Sequence, residues 1–148
     1  MRRLRALRQQ RGQALVEFSL VGILFVLLAL GTIDTARAVW NYNALSEATR
    51  EGARYAIVHG SQSADPSGPS STHYTAPSTD TKVTQAVQQF SSGLSSSKLT
   101  VLSQWLDSSN QAGKRVKVTS QYQFKPFFNF VGAFTFTMSS SSTMSIAY

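Results

Sequence analysis

An uncharged apolar run directly behind a cluster of arginines constrains this chain more than any other feature. Phe18 to Ile33 reads FSLVGILFVLLALGTI, sixteen residues without a charge. Extended back to Ala14, the run is twenty residues long and carries one charge, Glu17. A helix needs about 20 residues at about 1.5 Å each to cross the hydrocarbon of a bilayer. Residues 14–33 therefore predict a membrane-spanning helix in contact with the lipid bilayer, with Glu17 near one face. The buried core helix of a soluble protein is the competing reading of such a run. The third reading is a cleaved secretory signal, with a basic start and a small-x-small site at Ala36-Arg37-Ala38. Against it, the apolar run exceeds the usual h-region, and the helical pattern continues past Ala38.

Charge placement sets the orientation. The net charge is +7, but Arg2, Arg3, Arg5, Arg8 and Arg11 all precede Gly12. That leaves nine of the 14 basic residues against all seven acids over the rest of the chain. The high pI is thus a property of the leader. A nucleic-acid binder would carry its basic stripe on the folded part, so no nucleic-acid partner is expected. Arginines flanking an apolar helix follow the positive-inside rule. Residues 1–12 should stay cytoplasmic and everything after the span should be exported. The chain has no cysteine, which removes disulfides, thiol nucleophiles and thiolate metal sites together.

Beyond the span, residues 34–58 lack proline, and Ala38, Tyr42, Leu45, Ala48, Gly52 and Ala56 recur at spacings of three and four. That spacing predicts one packing face of a continuing helix, an imperfect one because Asn41 falls among the apolar residues. Glu47, Arg50, Glu51 and Arg54 fall opposite, at spacings that allow i,i+3 ion pairs. The face has two readings, packing within the chain or contact with another helix in an assembly. Residues 60–81 are rich in Ser, Pro, Thr and Gly, which make up fifteen of the twenty-two, and predict a flexible loop.

Residues 82–148 predict a small exported α+β domain. Val83, Ala86, Val87, Phe90 and Leu94 suggest a short helix over 80–92, capped by Thr79 or Asp80. Alternation predicts strands at about 98–106, 116–124 and 135–147. The aromatic stretch Phe127, Phe128, Phe130, Val131 and Phe134 reads as core in preference to a docking surface. The fold expected is a long N-terminal helix, residues 13–59, packed on a small antiparallel sheet of about three strands.

At the junction of leader and span stands Gly12-Gln13-Ala14-Leu15-Val16-Glu17-Phe18. An acid at the edge of a membrane helix is unfavourable and usually has a role. If the chain were cut after Gly12, Gln13 would carry a new amine. Glu17 of a neighbouring subunit could pair with that amine. Alternatively, Glu17 is an interfacial residue beside the arginine leader. The sequence RGQALVEFSL, followed by NALSEATREGARYA at 43–56, resembles the TadE-like family of Tad pilus pseudopilins. The ending VKVTSQYQFKPFFNFVGAFTFTMSSSSTM resembles that family more loosely. The resemblance implies a pilin-like outline and cleavage between Gly12 and Gln13 by a prepilin peptidase. It also implies a place in assembly of a Tad-type (Flp) pilus and in surface adherence. The partners implied are inner-membrane platform proteins, other pseudopilins and the major pilin. The family often has tyrosine where this chain has Phe18.

No cofactor or metal is expected, and no enzyme. His59 and His73 have no acid or cysteine pattern around them, and no nucleophile, base and phosphate-loop arrangement is legible. The alternative function is a secreted or anchored binding module released by signal peptidase after Ala38.

Overall fold

The computed structural model describes residues 2–68, 79–127 and 135–147, with side chains from Gly12 onward. The element order is α1 (Arg2–Val58), α2 (Thr81–Phe90), a 3-10 turn (Ser96–Lys98), β1 (Leu99–Trp105), β2 (Arg115–Phe124) and β3 (Phe136–Ser145). The three strands form one antiparallel sheet in the order β1-β2-β3. The fold is α+β, a long N-terminal helix with its later part packed on a small antiparallel sheet. Contacts divide the chain into Met1–Arg37 and Ala38–Tyr148. The boundary falls inside α1, where the helix gains packing partners from Ala38 onward.

Alternation along the strands builds the second unit. In β1, Leu99, Val101, Ser103 and Trp105 are buried. They stand opposite Tyr122, Ser120, Val118 and Val116 of β2, all buried as well. A side-chain period of two puts each of these sets on one face. On β3, the same face carries Met138, Ser140, Ser142 and Met144, paired with Tyr122, Ser120, Val118 and Val116. Phe124 and Phe136 close this ladder with ring centroids 5.1 Å apart.

The helices cover that face. Leu45, Ala48, Thr49, Ala53 and Ala56 of α1 are buried, as are Val83, Ala86 and Val87 of α2. Gly52 marks the tightest approach, because a Cβ built there would lie 2.3 Å from Val87 Cγ2 and 3.6 Å from Val118 Cγ1. Only a residue without a side chain lets α1, α2 and β2 meet at this point.

Asp80 caps α2 as expected, its Oδ1 accepting from the backbone N–H of Lys82 (2.9 Å) and Val83 (3.0 Å). Its Oδ2 also accepts from Gly68 N–H at 3.1 Å. The first part of the Ser/Pro/Thr-rich segment, expected as a flexible loop, is therefore pinned by hydrogen bonds. Ser67 donates through both N–H and Oγ to the His59 carbonyl, and Ser61 N–H donates to the Asn110 carbonyl at 2.9 Å. These bonds satisfy backbone groups that burial would otherwise leave unpaired, as at Ser67, which is buried. Residues 69–78 of that segment, including His73, lie outside the described residues.

The C-terminal end of α1 is tied to the last strand. Ala147 N–H donates to the Ile57 carbonyl at 2.9 Å, satisfying one of the orphan acceptors of a helix terminus. His59 N–H and Nδ1 both approach the Tyr55 carbonyl, and the two rings stack at 3.9 Å.

Candidate functional site

The apolar part of α1 is uncovered by the rest of the described chain. Its most hydrophobic stretch has no buried share at all. Phe18 is 79% exposed, Leu28 69% and Leu27 39%, and Leu30 is half-buried. A core helix of a soluble protein would be covered, since burying each such side chain is worth about 1.5–3 kcal/mol. The chain has one helix long and apolar enough to cross a membrane among the described residues.

The polar groups within that helix are satisfied locally. Ser19 Oγ donates to the Leu15 carbonyl (2.7 Å), Thr32 Oγ1 to Leu28 (2.9 Å) and Thr35 Oγ1 to Gly31 (2.8 Å). Each hydroxyl finds its acceptor one turn back on its own helix. Such a helix asks for no outside hydrogen-bond partner, which is the requirement hydrocarbon imposes. A Cβ at Gly12, Gly22 or Gly31 would meet nothing within 4 Å, so these positions lie on open surface.

The candidate processing residues come together at the start of the run. Gln13 Nε2 donates to Glu17 Oε1 at 3.1 Å, one turn apart. Gly12 and Phe18 flank this pair on the same helix. At the other end, the Arg37 guanidinium meets Asp34 at 3.1 Å. The side chains of Arg2, Arg3, Arg5, Arg8 and Arg11 lie outside the described residues, although the helix backbone runs through them.

The expected packing face divides. Leu45, Ala48, Gly52 and Ala56 are buried, Ala38 is half-buried, and Tyr42 is 48% exposed. Asn41, one helical turn before Leu45, takes a buried place. The stripe of cover therefore passes through a polar residue that hydropathy spacing alone steps over. On the opposite side, Arg50 and Arg54 pair with Glu47 (3.8 Å) and Glu51 (2.6 Å).

A groove of about 410 Å³ runs between α1 and α2, with Tyr55, His59, Lys82 and Phe90 in its wall. Its charges are engaged within the chain. Lys82 pairs with Asp65, and Arg54 with Glu51. The hydrogen bond from Lys82 holds the Asp65 carboxyl below its ordinary range, and the same bond raises Lys82. Among the described residues no group of three or more His, Asp or Glu is placed to hold a metal ion.

The β1–β2 hairpin carries an ion pair that alternation does not reveal. Arg115 donates through Nε (3.2 Å) and a terminal nitrogen (2.9 Å) to the two Asp107 oxygens, and its backbone N–H adds a third bond at 2.9 Å. The Arg115 side chain first, and then its backbone N–H, pull the Asp107 carboxyl down to about 2. A carboxyl held below its unfolded value near 3.9 stabilises the fold above that value, and this contribution disappears as pH falls through the folded value. Urea unfolding of the full chain in detergent should therefore lose stability between about pH 4 and pH 2. Asp107→Asn should flatten that part of the profile. An identical slope in the variant would assign the acid sensitivity to other carboxylates.

No curated protein and no solved structure matches this chain significantly. A family does match, over the segment that holds the Gly12–Phe18 junction, the apolar run and most of the packing face. Residues 12–54 of this chain match the TadE-like protein family, the family its sequence resembles.

Proposed function

We propose that this chain is a minor pilin, or pseudopilin, of a Tad-type (Flp) pilus, acting in pilus assembly and surface adherence and without enzymatic activity. The observation that carries the reading is an uncovered apolar helix within the very segment that matches the TadE-like family. In this reading α1 spans the inner membrane once, with the arginine leader cytoplasmic and the unit from Ala38 exported. The platform proteins, other pseudopilins and the major pilin of the system are its partners.

The leader is removed between Gly12 and Gln13 by a prepilin peptidase. Both residues lie inside α1, so the peptidase must open the helix to reach the bond. Glycine lowers that cost, since it is about 1 kcal/mol less favourable than alanine in a helix interior. Cleavage leaves a cationic amine on Gln13, one turn from Glu17. In the assembled state the Glu17 carboxylate exchanges its bond from the Gln13 amide for the amine of a neighbouring subunit.

Glu17→Ala should leave insertion into membranes intact while surface pili disappear. Electron microscopy of cells and fractionation of their membranes measure the two separately. Wild-type piliation in the variant would reject the pairing role. N-terminal sequencing of the membrane-bound protein should begin at Gln13. A start at Val39 would favour the released binding module.

A further inference from the structure

The sheet of the C-terminal unit has two edges, and they are treated differently. Leu106 N–H donates to the Arg115 carbonyl, next to the pair Trp105–Val116. In an antiparallel ladder, alternate residues turn both backbone groups to the same neighbour. Val101, Ser103 and Trp105 therefore turn theirs away from β2, and these residues are 3%, 1% and 0% exposed. The outer edge of β1 is covered. On β3, Ile146 N–H donates to the Lys114 carbonyl at 2.7 Å, so the even-numbered residues face β2. Thr137, Ser139, Ser141, Thr143 and Ser145 turn their N–H and C=O groups outward, and all of them are exposed. Among the described residues no strand lies beyond β3.

Natural sheets blunt an open edge with lysine, proline, a bulge or a short strand. This edge uses none of them. The strand is 10 residues long, its register with β2 runs without a break, and 127–148 holds neither a charge nor a proline. Its sequence also reads alike in both directions about Ser141. Laid antiparallel on a second copy with Ser141 on the two-fold axis, Met138 meets Met144, Ser139 meets Thr143, Ser140 meets Ser142 and Thr137 meets Ser145. Outward-facing residues then meet outward-facing residues, the condition for a bonded ladder. Moving the axis to Ser140 or Ser142 keeps the ladder but sets a methionine against a serine. In the Ser141 register the methionine pairs fall between the bonded pairs, where Cα atoms come within about 4.5 Å. Met144, half-buried in the single chain, gains cover there.

We propose that β3 is a self-complementary docking edge through which two copies of this chain join their sheets, with Ser141 on the two-fold axis. Strand addition supplies main-chain hydrogen bonds, and the side-chain pairs set the register. No like charges face each other across the seam. The contact is isologous, so it closes at a dimer, and the covered edge of β1 stops the sheet from growing further. A strand from another protein could meet the same backbone groups, but the order of methionine, hydroxyls and methionine about Ser141 matches a second copy. The inference uses the C-terminal unit alone and goes beyond the pilus reading.

Cysteine pairing tests it in the full chain in detergent, because the native sequence has no cysteine. Under mild oxidation Ser141→Cys should give a disulfide-linked dimer, since bonded residues on the axis stand about 5.5 Å apart, within disulfide reach. Thr137→Cys alone should stay monomeric, its two copies being about 27 Å apart along the strands. Mixed with Ser145→Cys, it should cross-link. Equal linking of Ser141→Cys and of Thr137→Cys alone would overturn the proposal, since it means collision or contact through another surface. Absence of linking at 141, in protein with a native circular dichroism spectrum, would overturn it too. Without cysteines, the dimer followed by analytical ultracentrifugation should be lost in Ser141→Pro, which removes an outward N–H and no bond to β2. Ser141→Lys leaves the backbone unchanged and sets two like charges on the axis, so it should lose the dimer as well. A dimer that survives in Ser141→Lys would reject β3 as the seam.

Discussion

Replacing Arg2, Arg3, Arg5 and Arg8 with glutamate should place a reporter fused after Tyr148 in the cytoplasm in a large share of molecules, where the proposed topology has the native sequence export it. The effect should be large because the bias is carried almost wholly by the leader. Five arginines precede the span and no acid stands among them. On the other flank, Arg37 and Arg50 are the basic residues within about 20 positions of Ile33, the range over which such charges count. Arg37 is in turn paired with Asp34. The reversal leaves Arg11 alone on the leader side against those two, so the asymmetry changes sign. The helix itself should still insert, because the apolar run is untouched and its hydroxyls remain bonded to their own backbone. Protease protection of the C-terminal unit in inverted vesicles reads the outcome. An exported reporter in the variant would show that something other than the arginines sets the topology.

What could be read from the sequence follows the kind of physics each feature obeys. Period is local, and it places the three strands and α2 to within a residue or two. The Asp80 cap is equally local, since its acceptors and donors lie within three positions. Features made by non-neighbours were not legible. The spacing put Tyr42 on the packing face, whereas Asn41 is the buried one. The turn around Gly93 meets Trp40, next to Asn41, and no helical period contains that turn. Phe127, expected in the core, is largely exposed because it follows Pro126, beyond the last ladder pair Phe124–Phe136. Phe128, Phe130, Val131 and Phe134 lie outside the described residues. Asp107 and Arg115 are eight apart, and only the closed hairpin brings them together. The pinned start of the Ser/Pro/Thr-rich segment depends on Asn110 and Asp80, 43 and 12 residues from the groups they bond. Composition reports how little apolar surface such a segment buries, and it is silent about hydrogen bonds of that range.

Gly52 separates two opposing effects whose sizes decide the sign of a single substitution. By helix propensity, Gly52→Ala should stabilise α1 by about 1 kcal/mol. By packing, the new methyl would stand 2.3 Å from Val87 Cγ2, far inside contact distance. Valine has no flexible end that can swing aside, because its χ1 is confined by its helix. Val87 is itself fully buried, against a sheet face that includes Val118. Overpacking of this kind typically costs about 1–3 kcal/mol, so the steric term should win. The expected result is a net loss of up to about 2 kcal/mol for Gly52→Ala in urea unfolding of the full chain, followed through Trp105. Gly52→Leu should keep the C-terminal unit from packing on α1 at all. The decisive measurement is the pair with Val87→Ala. That change alone should be destabilising by the loss of two buried methyl groups, and it also empties the space that the methyl introduced at position 52 needs. The double variant should therefore be more stable than the sum of the single changes predicts, with a coupling of about 1 kcal/mol or more of favourable sign. Simple additivity would mean that α1, α2 and β2 do not meet at Gly52. The packing of the C-terminal unit on the second half of α1 would then need another account.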